Sequence, residues 1–92
     1  MFDDIVILIQ ELDEEHTEET EVFATVESVG QTEFFSAAQS GMRADYRLIV
    51  WSDDYAGEQI VKIRSKNYDI YRTYMRKDGK TELYCGKRAG VV

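Results

Sequence analysis

The sequence contains one histidine and one cysteine, two residue types often used for metal binding or nucleophilic chemistry. His16 stands in a run of acidic residues without a second histidine or cysteine nearby, which favours a solvated loop residue over a zinc ligand or general base. Cys85 falls on the inner face of the last predicted strand, where a buried structural thiol is the expected role. A cysteine nucleophile would also need a histidine partner, and the sequence has no histidine near Cys85.

The other residues with possible chemistry are carboxylates. The acidic run from Glu11 to Glu21 could collect calcium weakly, but it lacks the alternating spacing and the turn glycine of a calcium-binding loop. The sequence contains no glycine-rich phosphate loop, no G-x-S-x-G motif and no paired carboxylates on a defined element. We therefore expect no enzymatic activity, no cofactor and no metal site.

Charge is distributed unevenly along the 92 residues, whose formal net charge is -7. The first 46 residues hold twelve acidic residues and one basic residue, whereas the last 46 hold six acidic and ten basic residues. The net acidity argues against sequence-independent binding to phosphate backbones. The division is typical of a solvated surface, and it also suits a subunit that meets a second copy head to tail. In the latter case, the candidate inter-subunit contacts are Lys62, Arg64, Arg76 and Lys80.

The most acidic segment, residues 11–21, has little apolar surface to bury, so we predict an exposed and mobile loop there. Its candidate functional side chains are Glu11, Asp13, Glu14, Glu15, Glu18, Glu19 and Glu21. Residues 5–9 before it are β-branched at nearly every position, which predicts a strand buried on both faces. Residues 21–29 alternate loosely between apolar and polar side chains, which predicts a second strand.

The spacing of apolar residues changes after this second strand. Residues 31–40 predict a short helix that stops at Gly41, a residue suited to the left-handed position after a helix. So short a helix does not persist alone in water, and we therefore expect its neighbouring side chains Phe34 and Phe35 to pack on the sheet.

From residue 46 onward the pattern predicts a third strand, residues 46–52, followed by two hairpins. The first hairpin would turn at Ser65 and Lys66. A two-residue loop there pairs Lys62 with Asp69, a base with an acid, which supports this register.

The second hairpin is signalled by Asp78 and Gly79, which favour a tight turn that pairs Tyr74 with Leu83. Arg72 falls on the inner face, either with its stem on tyrosine rings or as an anchor at an interface. The two registers place one set of apolar side chains on that same face: Val61, Ile63, Tyr68, Ile70, Tyr74 and Leu83.

These elements predict a mainly β protein, a small antiparallel β-barrel or rolled sheet of five to six strands with one short helix. One domain covers residues 1–92, and residues 86–92 are expected to form a flexible C-terminal tail. The longest apolar run has the length of a strand and follows Asp3 and Asp4, so we expect neither a signal peptide nor a membrane span.

Several short motifs carry a family resemblance in their order and spacing across residues 3–85. They are Glu21-Val22-Phe23-Ala24, Ser28-Val29-Gly30, Glu33-Phe34-Phe35, Ala37-Ala38, Gly41-Met42, Asp45-Tyr46, Asp54-Tyr55-Ala56-Gly57-Glu58, Tyr68-Asp69-Ile70-Tyr71-Arg72-Thr73-Tyr74 and Glu82-Leu83-Tyr84. In this order they resemble the head-tail adaptor family of tailed phages, the head-closure or stopper proteins of siphophages and prophages. The resemblance implies a small β-barrel subunit without catalytic residues.

The same resemblance implies a homo-oligomeric ring that lies beneath the portal and adaptor rings, continues the DNA channel and receives the tail proteins. It implies a place in the virion, and in the bacterial host cytoplasm during assembly. In such proteins a flexible loop can help to close the channel, and residues 11–21 are our own candidate for that loop. An acidic channel lining would let duplex DNA slide without sticking.

Two other functions remain open on the residues alone. A small acidic interaction protein, such as a DNA mimic that inhibits a nucleic-acid enzyme, would share the negative charge, although the basic second half fits it poorly. An aromatic-lined β-barrel binding module would use exposed rings to bind a peptide or to stack the bases of single-stranded nucleic acid. The tyrosines predicted on neighbouring strands are Tyr68, Tyr71, Tyr74 and Tyr84, and core packing explains Tyr68 and Tyr74 first.

Overall fold

A computed structural model of the protein describes residues 2–88. The elements are β1 (Asp4–Glu11), β2 (Thr17–Ser28), α1 (Gln31–Gln39), β3 (Met42–Trp51), a 3₁₀ turn (Ser52–Asp54), β4 (Ile60–Ile63), β5 (Lys66–Met75) and β6 (Lys80–Arg88). The six strands form one closed antiparallel sheet in the order β1-β2-β3-β6-β5-β4. This arrangement confirms the predicted fold class of a mainly β protein with a rolled sheet and one short helix.

One apolar core fills the inside of the closed sheet. Each strand supplies alternate side chains to it, because successive side chains of a strand point to opposite faces. In β1 the inner residues are Val6 and Leu8, whereas Ile5 points outward and is 58% exposed. The prediction that this strand is buried on both faces is therefore wrong at its start, although the outward Ile9 is covered. The buried cluster consists of Val6, Leu8, Val22, Ala24, Leu48, Val50, Val61, Ile63, Leu83 and Cys85.

The hairpin between β4 and β5 turns one residue earlier than predicted. Arg64 and Ser65 both have positive φ angles, 50° and 76°, as a type I′ turn requires. Lys62 therefore pairs with Asn67, and the predicted pairing of Lys62 with Asp69 is wrong. The register shift is two residues, so each side chain keeps its predicted face.

In the hairpin between β5 and β6, the register differs from the prediction by one residue. A shift of one residue changes the face on which a side chain lies. The hairpin loop has three residues and ends at Gly79 with a φ of +84°, and Arg76 N–H donates to the Lys80 carbonyl across it at 2.8 Å. Tyr74 consequently pairs with Glu82 instead of Leu83. It points outward and is 57% exposed, so the predicted inner position of Tyr74 is wrong.

A bulge in β5 explains why the inner and outer residues change within this strand. The register shifts between Ile70 and Arg72, which leaves Tyr71 as the extra residue. Ile70 lies against the core opposite Cys85, as an inward residue. Arg72 lies opposite Tyr84, with its guanidinium over the outer face of that ring, so the predicted inner position of Arg72 is wrong.

Helix α1 ends as predicted, because Gly41 follows it with a φ of +79°. The predicted packing of the two phenylalanines is wrong: Phe34 and Phe35 are both exposed. The buried residue of the helix is Ala37. A small side chain therefore occupies the buried side of the helix, and the bulkier rings lie toward solvent.

The acidic segment is a hairpin. Glu11 ends β1 and Thr17 begins β2, so residues 12–16 alone form the loop and the predicted loop over residues 11–21 is wrong in its extent. Its predicted exposure is confirmed, since every residue from Glu11 to Glu21 is exposed. At the other end of the chain, residues 86–88 belong to β6, which corrects part of the predicted tail. The remaining tail residues, 89–92, lie outside the described part of the chain.

Candidate interaction site

The acidic residues 11–21 form a two-stranded projection that we call the acidic arm. β1 pairs with β4 only over Ile7–Ile9, and β2 pairs with β3 only from Thr25 to Ser28. Beyond these two ladders, the hairpin continues through pairs such as Glu11 with Thr17. The arm therefore carries its seven predicted carboxylates, Glu11, Asp13, Glu14, Glu15, Glu18, Glu19 and Glu21, on a paired two-stranded ribbon. The predicted mobility of these residues stays a prediction.

The turn of the acidic arm is organised by Asp13. Its Oδ1 atom accepts hydrogen bonds from the backbone N–H groups of Glu15 and His16, each at 2.8 Å. The His16 ring lies 2.8 Å from the same carboxylate oxygen, so the predicted solvated histidine is a turn residue as well. The N–H of Glu15 and the His16 ring lower the pKa of Asp13. The carboxylates of Glu14 and Glu15 are exposed beside this turn.

The four basic residues predicted as inter-subunit contacts separate into two pairs. Lys62 lies opposite Ile7 of β1, and Arg64 lies 3.4 Å from a carboxylate oxygen of Asp4. Arg76 and Lys80 flank the turn between β5 and β6. The fold brings Arg76 and Lys80 to one groove, whereas Lys62 lies in β4 and Arg64 directly after that strand.

An open groove of about 410 Å³ lies beside Arg76 and Lys80 on the outer face of the sheet. The rings of Phe2 and Trp51 meet edge to face in it, with their centroids 4.9 Å apart. Lys80 Nζ lies 5.5 Å from the centroid of Trp51, which is 47% exposed. We call this feature the aromatic groove; its lining residues are Phe2, Thr25, Glu27, Ile49, Trp51, Arg76 and Lys80.

Sequence reasoning missed the aromatic groove. Its only usable signal was the alternation of β3, which places Trp51, a large aromatic residue, on the outward face. Nothing in the local pattern links that position to Phe2, because the two residues meet only after the sheet has closed. Glu27 faces the groove, but Arg47 binds its carboxylate through Nε at 2.9 Å and through a second guanidinium nitrogen.

A polar network covers the outer face of β6 next to the groove. The Tyr84 hydroxyl donates to Glu82 at 2.6 Å, and Arg76 Nε donates to the other oxygen of the same carboxylate at 2.8 Å. These bonds lower the pKa of Glu82. Arg72 lies 3.9 Å above the Tyr84 ring and also binds Glu33 of α1. The network explains why Glu82 and Tyr84 are buried on the outer side of the sheet.

The four tyrosines considered for a stacking platform do not share an exposed face. Tyr68 packs edge-on against Tyr46 beside the core, and Tyr84 lies under Arg72. The Tyr71 hydroxyl donates to Glu33 at 2.7 Å. Tyr74 is the exposed member of this set.

Cys85 lies on the inner face of β6, as predicted, and is fully buried. Burial, with a smaller contribution from the Asp45 carboxylate, raises the pKa of this thiol to about 12. Across residues 2–88, no three His, Cys, Asp or Glu side chains are grouped closely enough to hold a metal ion. No helix in that range has both the length and the apolar character needed to cross a membrane.

Comparison of the chain with protein-family models and with curated protein sequences gave no match. The candidate site is therefore defined by its own geometry: an acidic arm, and an aromatic groove with two bases at its rim. Both features suit binding to another macromolecule, because tryptophan and arginine are enriched in protein interfaces and complementary charges orient the partners.

Proposed function

We propose that this protein is a structural subunit of a phage or prophage head-tail connector. Copies form a ring that joins the portal and adaptor complex to the tail-completion or tail proteins, and the ring helps to retain packaged DNA. The role involves neither catalysis nor a cofactor. It is performed in the virion, after assembly in the cytoplasm of the bacterial host.

The observation that carries this proposal is the acidic arm on a closed, well-packed sheet. Rotational symmetry would bring the arms of all copies to the same height, where their carboxylates form a negative collar. Phosphate groups are repelled by such a collar, so duplex DNA passes without binding to it. The Asp13 turn and the β1–β2 pairing give the carboxylates a defined position on the subunit.

Exposed apolar side chains on two other surfaces also support a subunit with several neighbours. Ile5 and Phe23 lie directly opposite each other on β1 and β2, and each is 58% exposed. On α1, Phe34 and Phe35 are exposed as an edge-to-face pair. Apolar surface in contact with water is costly, so a neighbouring subunit that covers these side chains would be stabilised by their burial.

The acidic arm also supports a second candidate, a small acidic interaction protein that mimics DNA and inhibits a nucleic-acid enzyme. The two functions differ in their partner and their stoichiometry. A connector subunit forms a closed ring with portal and adaptor proteins, whereas a mimic forms a small complex with one enzyme. The third alternative, an aromatic-lined binding module, would use Tyr74 and the aromatic groove.

The test is co-purification with tailed-phage portal and adaptor proteins expressed together with this protein, followed by cryo-electron microscopy. A connector subunit appears as a ring with a central hole below the portal. Absence of the protein from portal-containing particles, at low and at moderate salt, would contradict the proposal. A stable small complex with a nucleic-acid enzyme would support the inhibitor instead.

A second experiment tests the arm within assembled particles. Glu18→Gln with Glu19→Gln removes two carboxylates from the arm, and Asp53→Asn with Asp54→Asn is the control at an exposed acidic pair elsewhere. We expect both variants to form rings and only the arm variant to change DNA retention, measured as nuclease-sensitive DNA leaving filled heads. If the two variants lose equal amounts of DNA, the arm has no specific role in DNA retention.

A further inference from the structure

We infer that the aromatic groove binds the tip of the acidic arm from a second copy of this chain. In this contact Leu12 lies against the rings of Phe2 and Trp51, and the carboxylates of Glu14 and Glu15 face the bases at the groove's rim. The inference deepens the proposed ring and rests on it, since it assigns the contact between neighbouring subunits.

The groove has the chemistry to receive an apolar group that is flanked by negative charge. Its aromatic wall is accessible at Trp51, and Lys80 lies over both rings, 5.5 and 5.7 Å from their centroids. Arg76 stands at the same rim and is 30% exposed. Three acids lie nearby: Glu27 is bound by Arg47, Glu82 by Arg76 and Tyr84, and a carboxylate oxygen of Asp78 lies 3.8 Å from Arg76. Because Arg76 already serves two of these acids, Lys80 is the base that attracts an incoming carboxylate most strongly.

The tip of the arm has the complementary chemistry. Leu12 is the one large apolar side chain among residues 11–21, and it is 61% exposed. The backbone N–H groups of Leu12 and Asp13 both donate to the His16 carbonyl, at 2.9 and 3.3 Å, so the turn that presents this side chain is already formed. A tip that is ordered before binding loses less conformational entropy when it docks.

The tip and the groove lie at opposite ends of β1. Phe2 stands before the strand and Leu12 directly after it, with eight strand residues between Asp4 and Glu11 inclusive. A strand rises about 3.3 Å per residue, which separates the two features by roughly 25 Å. The arm cannot fold back along its own strand into its own groove, so the occupant is a second copy.

Two different surfaces at opposite ends of one subunit make a head-to-tail contact. Contacts of this kind produce a ring when the rotation between subunits closes and a filament when it does not. The tip then holds neighbouring subunits together, while Glu18, Glu19 and Glu21 on the shaft of the arm remain available for the channel. The charges orient the encounter of two copies, and salt near 0.15 M weakens that attraction beyond about 8 Å.

The sole tryptophan of the chain, Trp51, lies in the groove, so its fluorescence reports occupancy directly. We expect the emission of the full-length protein to move to shorter wavelength as its concentration rises to the millimolar range in low salt, together with an increase in sedimenting mass. Leu12→Ser, at an exposed position, should weaken this association about tenfold or more, the loss expected for one buried leucine contact. Circular dichroism checks that the variant remains folded.

Charge exchange identifies the pairing. Glu15→Lys and Lys80→Glu should each weaken association, and the double variant with both changes should recover it. The matched controls are Glu19→Lys on the shaft of the arm and Lys62→Glu on β4, which should leave the emission shift unchanged. If the control variants weaken association as much as Glu15→Lys and Lys80→Glu do, the effect comes from net charge alone and the inference is overturned.

The remaining outcomes separate this contact from the proposed function. Leu12→Ser subunits that form portal-bound rings at the same protein concentration as the wild type refute the tip contact and leave the connector proposal intact. Wild-type protein that associates through Trp51 but forms no ring with portal proteins refutes the connector and retains the contact. If the emission shifts only when another connector protein or a small molecule is added, or does not shift at all, the second copy is not the occupant.

Discussion

Gly86 in β6 approaches the backbone of Arg43 in β3 so closely that a Cβ atom on residue 86 would lie 2.1 Å from the Arg43 carbonyl oxygen. The two strands are drawn together at a bulge, where the register shifts between Ala44 and Tyr46. Backbone atoms cannot move aside as a flexible side chain can. Glycine at this position is therefore a requirement of the closed sheet.

The first prediction is that Gly86→Ala lowers the free energy of unfolding by about 1–3 kcal/mol, the usual cost of overpacking. Urea denaturation measures this loss. Gly30→Ser is the control, because nothing lies within 4 Å of a Cβ atom there and serine is a good residue for the N-cap of α1. Similar losses in the two variants would contradict the close approach of β3 and β6.

The second prediction concerns the turn between β4 and β5. Ser65 has a φ of 76°, a conformation that is strained for residues with a side chain and free for glycine. We expect Ser65→Gly to raise the free energy of unfolding by about 0.5–1 kcal/mol. The same change at exposed Ser36 within α1 should lower it by a similar amount, because glycine is a poor helix former. Destabilisation by both changes would show that the turn is placed wrongly.

The third prediction tests how α1 is held on the sheet. Glu33 accepts a hydrogen bond from Tyr71 at 2.7 Å and also binds Arg72. Glu33→Ala should therefore cost about 1–2 kcal/mol of stability. Ser36→Ala, at an exposed site in the same helix, should cost nothing measurable.

The Tyr71 hydroxyl gives this third prediction a local readout. Burial, together with the hydrogen bond to Glu33, raises the pKa of Tyr71. The pH at which its ring signals titrate in an NMR experiment should fall in Glu33→Ala and stay the same in Ser36→Ala. An unchanged Tyr71 titration in Glu33→Ala would mean that Glu33 does not contact the hydroxyl.

The fourth prediction concerns alkaline pH. Burial raises the pKa of the Cys85 thiol from an ordinary value of 9.0 to about 12. The native state keeps its proton between these values and the unfolded state loses it, so stability is complete below pH 9 and falls as the pH rises toward 12. The slope contributed by one such group reaches about 1.4 kcal/mol per pH unit.

Cys85→Ala removes this ionisation. Its free energy of unfolding, measured with urea from pH 7 to pH 10.5, should decline less steeply above pH 9 than that of the wild type. Buried tyrosines also destabilise the native state at high pH, but they act equally in both proteins. Parallel declines would show that the thiol ionises as readily in the native state as in the unfolded chain.

The sequence by itself determined the secondary-structure class and the surface character of the arm. Alternating side chains in β3, the glycine after α1 and the two hairpin signals depend on local sterics, which act over a few residues. The exposure of residues 11–21 follows from their composition, because seven carboxylates cannot be buried without partners. These features could be predicted because each is decided by neighbours along the chain.

Only the tertiary structure decided the registers, the docking of α1 and the aromatic groove. A single extra residue at Tyr71 reverses the faces of Arg72 and Tyr74, and the local pattern does not reveal where a strand takes up such a residue. The helix buries Ala37 in place of its phenylalanines, and the spacing of its apolar residues alone does not show which side packs on the sheet. Phe2 and Trp51 meet because the sheet closes on itself, and closure depends on the packing of all six strands at once.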